Sequence, residues 1–273
     1  MQILSFLVSP PVTKKISKTY TKTYYQNPLP GTEVGIPLLL FENIFTNIHY
    51  GYDITTPEIV FLEFAFAFLT YGFDRLQDSY DQLEIKADKQ ELYSYFRENK
   101  DNIASALMTT YFITFYLLSQ EQETIPFLLG ITSTSQYKKI KSIIGPFKPV
   151  YISLMWTIGC YFLPCVLVDH DYSSFSQPLD YLPIFLTLFG SSNLADARDI
   201  VEDKNNNINT IPVLFGEDVS NSISCFSILL ASFLFFHNPN FYDREIINGV
   251  YGVQNTIIGL APIATNKTIW KLP

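Results

Sequence analysis

The chain has 273 residues, 48% of them hydrophobic and 16% aromatic, with a formal net charge of −8. That length suits one or two soluble domains, and the acidic balance argues against a nucleic-acid partner. The three cysteines lack zinc spacing, the three histidines are scattered, and there is no G-x-G-x-x-G and no P-loop, which removes zinc sites, histidine triads and the common nucleotide-binding loops from consideration.

Residues 1–30 carry Lys14, Lys15, Lys18 and Lys22 and no acidic residue. Residues 1–33 read as a basic arm beside a membrane, and residues 34–273 as a single transmembrane domain. Apolar segments then recur between short polar loops, the pattern of a chain that crosses a bilayer several times. Ser, Thr, Asn and Gly interrupt them, as in helices that pack on one another within a membrane. The mean hydropathy of only +0.14 reflects in part the long polar loops and the N-terminal arm. The segments predict helices over 34–48, 57–73, 102–118, 124–135, 149–168, 179–195, 220–236 and 246–264. The fold class is therefore all-α, a polytopic membrane protein of about eight or nine transmembrane helices. An acidic stripe recurs after the second and sixth helices, which suggests two four-helix halves.

Charge placement supports this topology independently. With these helices, the arm and the loops after helices two, four and six share one side, which holds Arg75, Lys86, Lys89, Arg97, Lys100, Lys138, Lys139, Lys141, Lys148, Arg198 and Lys204. Three of the opposite loops, 51–56, 119–123 and 169–178, contain no Lys or Arg. That asymmetry places the first side in the cytoplasm or its organellar equivalent, such as a plastid stroma.

Both acidic stripes fall on the positive side. In LTYGFDRLQDSYDQ (69–82), Asp74, Asp78 and Asp81 are spaced i, i+4, i+7. In NLADARDIVEDKNNNINTIPVLFG (193–216), Asp196, Asp199 and Asp203 are spaced i, i+3, i+7. On a helix either set forms one line of carboxylates, which repel unless a cation sits among them. Carboxylate oxygens suit Mg²⁺, and two such lines can hold a metal–diphosphate cluster between them. Residues 79–102 include Leu83, Ile85, Leu92, Tyr93 and Phe96 among charges, a candidate amphipathic helix on the membrane surface. Residues 137–149, YKKIKSIIGPFKP, bring four lysines to one helix end and the start of the next, as topology determinants or as phosphate ligands.

These stretches resemble the aspartate motifs of the UbiA-type intramembrane prenyltransferases. The family's first motif, N-x-x-x-D-x-x-x-D, often with D-R-x-x-D inside it, is matched by Thr70, Asp74, Arg75 and Asp78. Its second motif in the homogentisate prenyltransferase and chlorophyll synthase branches, D-x-x-D-x-x-x-D-K-x-x-G-x-x-T-[LF]-P, is matched by Asp196, Asp199, Asp203, Lys204, Asn207, Thr210, Ile211 and Pro212. The region 137–156 is similar to the family's basic loop, and the resemblance spans roughly 34–220. Thr70 stands where the family usually has Asn, a metal ligand, and Asn207 where it has Gly.

The resemblance implies a Mg²⁺-dependent transfer of a prenyl group from a polyprenyl diphosphate to an aromatic or other lipophilic acceptor within the bilayer. It implies metal ligation by Asp74, Asp78, Asp196, Asp199 and Asp203, with catalytic work for Asp74, Asp78, Asp199 and Asp203. Lys139, Lys148 and Arg198 are the implied diphosphate ligands, and Thr70, Asp81 and Asn193 are further candidates. The acceptor, donor length and oligomeric state stay open. The rival reading is a non-catalytic, UbiA-like subunit or assembly factor of a membrane complex. A soluble helical terpene synthase with similar Asp–Mg²⁺ chemistry is a third, disfavoured by the charge asymmetry.

Overall fold

The computed structural model describes residues 56–80, 90–120, 122–134, 140, 143–170, 172–176 and 178–237. The expected arm, the helices over 34–48 and 246–264, and site residues Asp81 and Lys139 lie outside them. The described chain is all helical, with no strand among the described residues.

Helix α1 (Pro57–Asp78) opens with Thr56, whose hydroxyl accepts the Ile59 amide hydrogen at 3.2 Å, and Pro57 follows in the first turn, where its missing N–H costs nothing. It runs five residues past the expected end, so the first acidic motif lies within the helix. Helix α2 (Gln90–Glu98) is the amphipathic segment, and it turns Tyr93 and Phe96 inward. Helix α3 (Lys100–Leu118) returns along α1, and α4 (Ile125–Thr134) follows a tight turn in which the Thr124 hydroxyl donates to the Leu118 carbonyl.

Helix α5 (Lys148–Thr157) continues through one wide π-helical turn, Ile158–Phe162, into α6 (Leu163–Asp169). Pro164 explains the widening. It has no N–H to offer Cys160, its ring crowds that carbonyl, and the Leu163 amide bonds Ile158 one residue further back. Helix α7 (Pro178–Arg198) is followed by the short helices α8 (Ile200–Asn205) and α9 (Ile211–Phe215) and then by α10 (Glu217–His237).

Neighbouring helices run antiparallel. Along α7 and the α5–α6 rod, Lys148 meets Asp196, Trp156 lies with Leu188, and Phe162 packs on Tyr181 at 4.8 Å between ring centroids. Along α7 and α10, Asn193 bonds Ser220 while the Ser227 hydroxyl bonds the Leu186 carbonyl. A core of Leu62, Phe66, Leu69, Phe96, Leu107, Leu118, Phe162, Val166 and Phe235 ties α1, α2, α3, α5–α6 and α10 together. The turns around Glu123 and Tyr172 meet at one end, where the Tyr172 hydroxyl donates to the Glu123 carbonyl. The opposite end collects the acidic motifs and every Lys and Arg of the described residues.

Among the described residues two stretches are long and apolar enough to cross a membrane: residues 145–169 (25 residues) and α10 (21 residues), each with a mean hydropathy of 1.8. At about 1.5 Å per residue, either exceeds the ~30 Å hydrocarbon layer.

Candidate functional site

The charged end is built on the first turn of α5. Its Lys148 Nζ donates to Asp196 Oδ1 at 2.5 Å, with the two side chains 13% and 5% exposed. Lys148 also lies in the field of Asp203 and Asp199. An ammonium in this setting compensates carboxylates that would otherwise be buried at high cost.

The second acidic stripe is not one continuous helical line. Asp199 sits at a break between α7 and α8: its amide bonds Asp196 with a tightened i→i−3 geometry at 3.0 Å, and its carbonyl accepts the Asp203 amide at 2.8 Å. Asp196 and Asp203 are buried, and Asp199 is half-buried. Asp203 Oδ2 accepts the Thr210 hydroxyl at 3.3 Å, so this acid also pins the turn that follows it. Arg198 ends α7.

That turn accounts for a departure noted above. Asn207 has φ +56°. Its amide bonds the Lys204 carbonyl at 3.2 Å and the Ile208 amide bonds the Asp203 carbonyl at 2.8 Å, the two bonds of a Schellman helix end. The position between them needs a left-handed residue, which Gly adopts freely and Asn tolerates better than most. Asn207 therefore occupies a left-handed position that Gly would also fit. The turn also lies against the start of the α5 rod, where a Cβ on Gly145 would come 3.2 Å from the Asn209 carbonyl oxygen.

The first motif lines a cleft of about 70 Å³ between α1 and α5, walled by Phe66, Thr70, Tyr71, Asp74, Tyr151, Ile152, Met155 and Trp156. Lys148, Tyr151, Ile152 and Met155 are spaced i, i+3, i+4, i+7, so the helix face that begins with the buried ammonium continues as the cleft wall. Tyr71 stacks on Trp156 with centroids 6.0 Å apart. The Thr70 hydroxyl donates to the Phe66 carbonyl at 2.7 Å, which leaves only its oxygen lone pairs as ligating capacity at this position. Asp78 is half-buried and accepts the Tyr93 hydroxyl at 3.5 Å, so α2 lies over the end of the first motif.

Asn193, one turn before Asp196, is fully buried and donates to the Ser220 carbonyl and the Ser224 hydroxyl of α10, both at 2.9 Å. Asn193 Oδ1 and Asp196 Oδ2 are buried with no hydrogen-bond partner among the described residues. Such oxygens fit a cation, because hard oxygen donors satisfy Mg²⁺ and a buried acceptor is otherwise costly. Among the described residues no three His, Cys, Asp or Glu side chains gather as a ready-made metal cage.

The aromatic wall and the partners of Asn193 were not singled out from sequence. The spacing of Lys148, Tyr151, Ile152 and Met155 carried a signal for the wall; nothing in the sequence pairs Asn193 with Ser220 and Ser224. The chain matches no family model, no curated protein and no solved structure.

Proposed function

We propose that this chain is an integral-membrane prenyltransferase of the UbiA type, which moves a prenyl group from a polyprenyl diphosphate to an aromatic or other lipophilic acceptor with the help of Mg²⁺. The observation that carries this reading is the joining of Lys148 to the buried Asp196, on a helix face that continues into an aromatic cleft lined by Thr70 and Asp74. Both motifs then flank one helix at one end of an apolar bundle. The membrane setting is supported by large apolar side chains turned outward, such as Leu129 at 73% and Phe226 at 71% exposure, while Ser153, Thr157, Asn193, Ser220 and Ser224 are buried. Such a pattern suits lipid around the bundle better than water.

Asp74 and Asp78 on α1, with Asp196, Asp199 and Asp203, would hold Mg²⁺. The bound metal would neutralise the charge that builds on a departing diphosphate. Lys148 would meet phosphate oxygens as a point charge, aided by Lys139 and Arg198. The faces of Tyr71, Tyr151 and Trp156 would exclude water and stabilise positive charge on the allylic carbon as its bond to the diphosphate oxygen breaks. The acceptor's electron pair would form the new carbon–carbon bond, and one carboxylate would take the proton that the acceptor releases.

One observation favours the rival, a non-catalytic UbiA-like membrane subunit or assembly factor. Asp196 is already matched by Lys148, and among the described residues no three His, Cys, Asp or Glu side chains are gathered. Binding of prenyl diphosphates of several chain lengths in detergent separates the two readings. The prenyltransferase gains thermal stability only when Mg²⁺ and donor are both present, by about 2.7 kcal/mol at a donor concentration one hundred times Kd. Asp78→Ala and Asp199→Ala should each abolish that gain, with strongly non-additive effects in the double variant. A wild-type protein that Mg²⁺ and donor leave unchanged would establish the rival.

A further inference from the structure

Asn193 sits where α7 and α10 approach closely, beside Gly190, whose missing Cβ would come 2.5 Å from Ile228 Cγ1 and 2.9 Å from the Ser224 carbonyl oxygen. Its amide orientation is fixed. Both hydrogens of Nδ2 face acceptors on α10, the Ser220 carbonyl and the Ser224 hydroxyl. Exchanging Oδ1 and Nδ2 would set two acceptor oxygens, Oδ1 and the Ser220 carbonyl, against each other. Oδ1 therefore has a defined direction, inside the protein, and no hydrogen-bond partner among the described residues. One helical turn on, on the same face, Asp196 presents Oδ2 in the same condition while Oδ1 is held by Lys148.

We propose that Asn193 Oδ1 and Asp196 Oδ2 together seat a divalent cation, which enters with a diphosphate group rather than alone. The inference rests on the prenyl-diphosphate reading for the identity of the anion. Two protein oxygens suffice because Mg²⁺-type ions keep several waters and take further oxygens from phosphates. The order of entry follows from charge. Lys148 already holds Asp196 Oδ1 at 2.5 Å, so a bare dication on Oδ2 must sit beside an ammonium that repels it and competes for the same carboxylate. A diphosphate brings negative charge of its own and offers the Lys148 ammonium new acceptors. In this chain Asn193 thus supplies a neutral amide oxygen that Thr70 does not.

The test uses the full chain in detergent, with Mn²⁺ as the probe and electron paramagnetic resonance counting free metal, with and without inorganic diphosphate. Mn²⁺ should bind about tenfold or more tightly when diphosphate is present. Asn193→Leu, which keeps the volume and removes the oxygen, should weaken that binding by about tenfold or more. Asn193→Asp should tighten it by adding a second carboxylate. Ser224→Ala, which removes one acceptor of the amide, should lower the melting temperature and leave Mn²⁺ affinity within a few-fold of wild type. Equal Mn²⁺ binding by wild type and Asn193→Leu would overturn the proposal and make Asn193 a helix-packing residue. If Asn193→Leu does not fold, weaker or unchanged binding by a folded Asn193→Asp overturns it instead. Comparing a prenyl diphosphate with inorganic diphosphate isolates the underlying reading. A prenyl donor that binds no better sinks the prenyltransferase alone, whereas Mg²⁺-dependent donor binding that ignores Asn193 sinks the seat alone.

Discussion

Lys148 and Asp196 are mutually dependent. Asp196 is buried and Lys148 largely so, and each is the other's closest opposite charge. Lys148→Met would leave a carboxylate buried without its ammonium, a loss on the order of 3–5 kcal/mol. Chemical denaturation should show that loss, with a much smaller one for Lys148→Arg. A comparable drop in both variants would mean that Lys148 acts by filling space. Asn207 makes the complementary point about backbone. With φ at +56°, Asn207→Gly should leave stability and diphosphate binding close to wild type, whereas Asn207→Val should cost about 1–2 kcal/mol in the same denaturation assay. The Asn207 departure from the resembled motif was visible in the sequence, but the left-handed backbone that Asn tolerates there was not, because the sign of φ depends on how α8 ends against the 208–210 turn.

Among the elements, α7 carries most of the site. It bears Asn193 and Asp196, packs on α5 through Lys148 and on α10 through Gly190. In Gly190→Ala the new methyl would strike the Ser224 carbonyl, a backbone atom that can yield only if α10 moves. The expected cost is about 1–3 kcal/mol, and the same displacement should loosen the Asn193 bonds to Ser220 and Ser224. Thermal unfolding of Gly190→Ala should therefore resemble that of Ser224→Ala in direction and exceed it in size; an unchanged melting temperature would mean that α7 and α10 have slack at this crossing. The helices themselves were legible from apolar runs, since 102–118, 149–168, 179–195 and 220–236 each reappear within a few residues as α3, α5–α6, α7 and α10. The break at Asp199 was not, because the i, i+3, i+7 spacing of the acids is equally compatible with an unbroken helix. What interrupts it is the tightened bond from Asp199 to Asp196 where α7 gives way to the short α8.

At the scale of the molecule, the charges are sorted by end. The ends of α1, α2, α7 and α8 and the starts of α3 and α5 carry Arg75, Arg97, Arg198, Lys204, Lys100 and Lys148, while the turns holding Glu123 and Asp169 carry no Lys or Arg among the residues described. In sealed vesicles, single cysteines at positions 75 and 204 should be labelled from one side and those at positions 122 and 174 from the other. Labelling of 75 and 174 from the same side would end the membrane topology proposed here. The sequence by itself determined the all-helical class, the approximate extents of the long described helices, and the sorting of charge along them, because apolar periodicity and basic residues act locally. Tertiary structure alone decided that Lys148 is the lysine that meets Asp196, that Asp203 spends an oxygen on Thr210, and that Asn193 is locked to Ser220 and Ser224. Those pairings join residues 7 to 48 positions apart, and only the antiparallel docking of α5, α7 and α10 and the turn after α8 bring them within bonding distance.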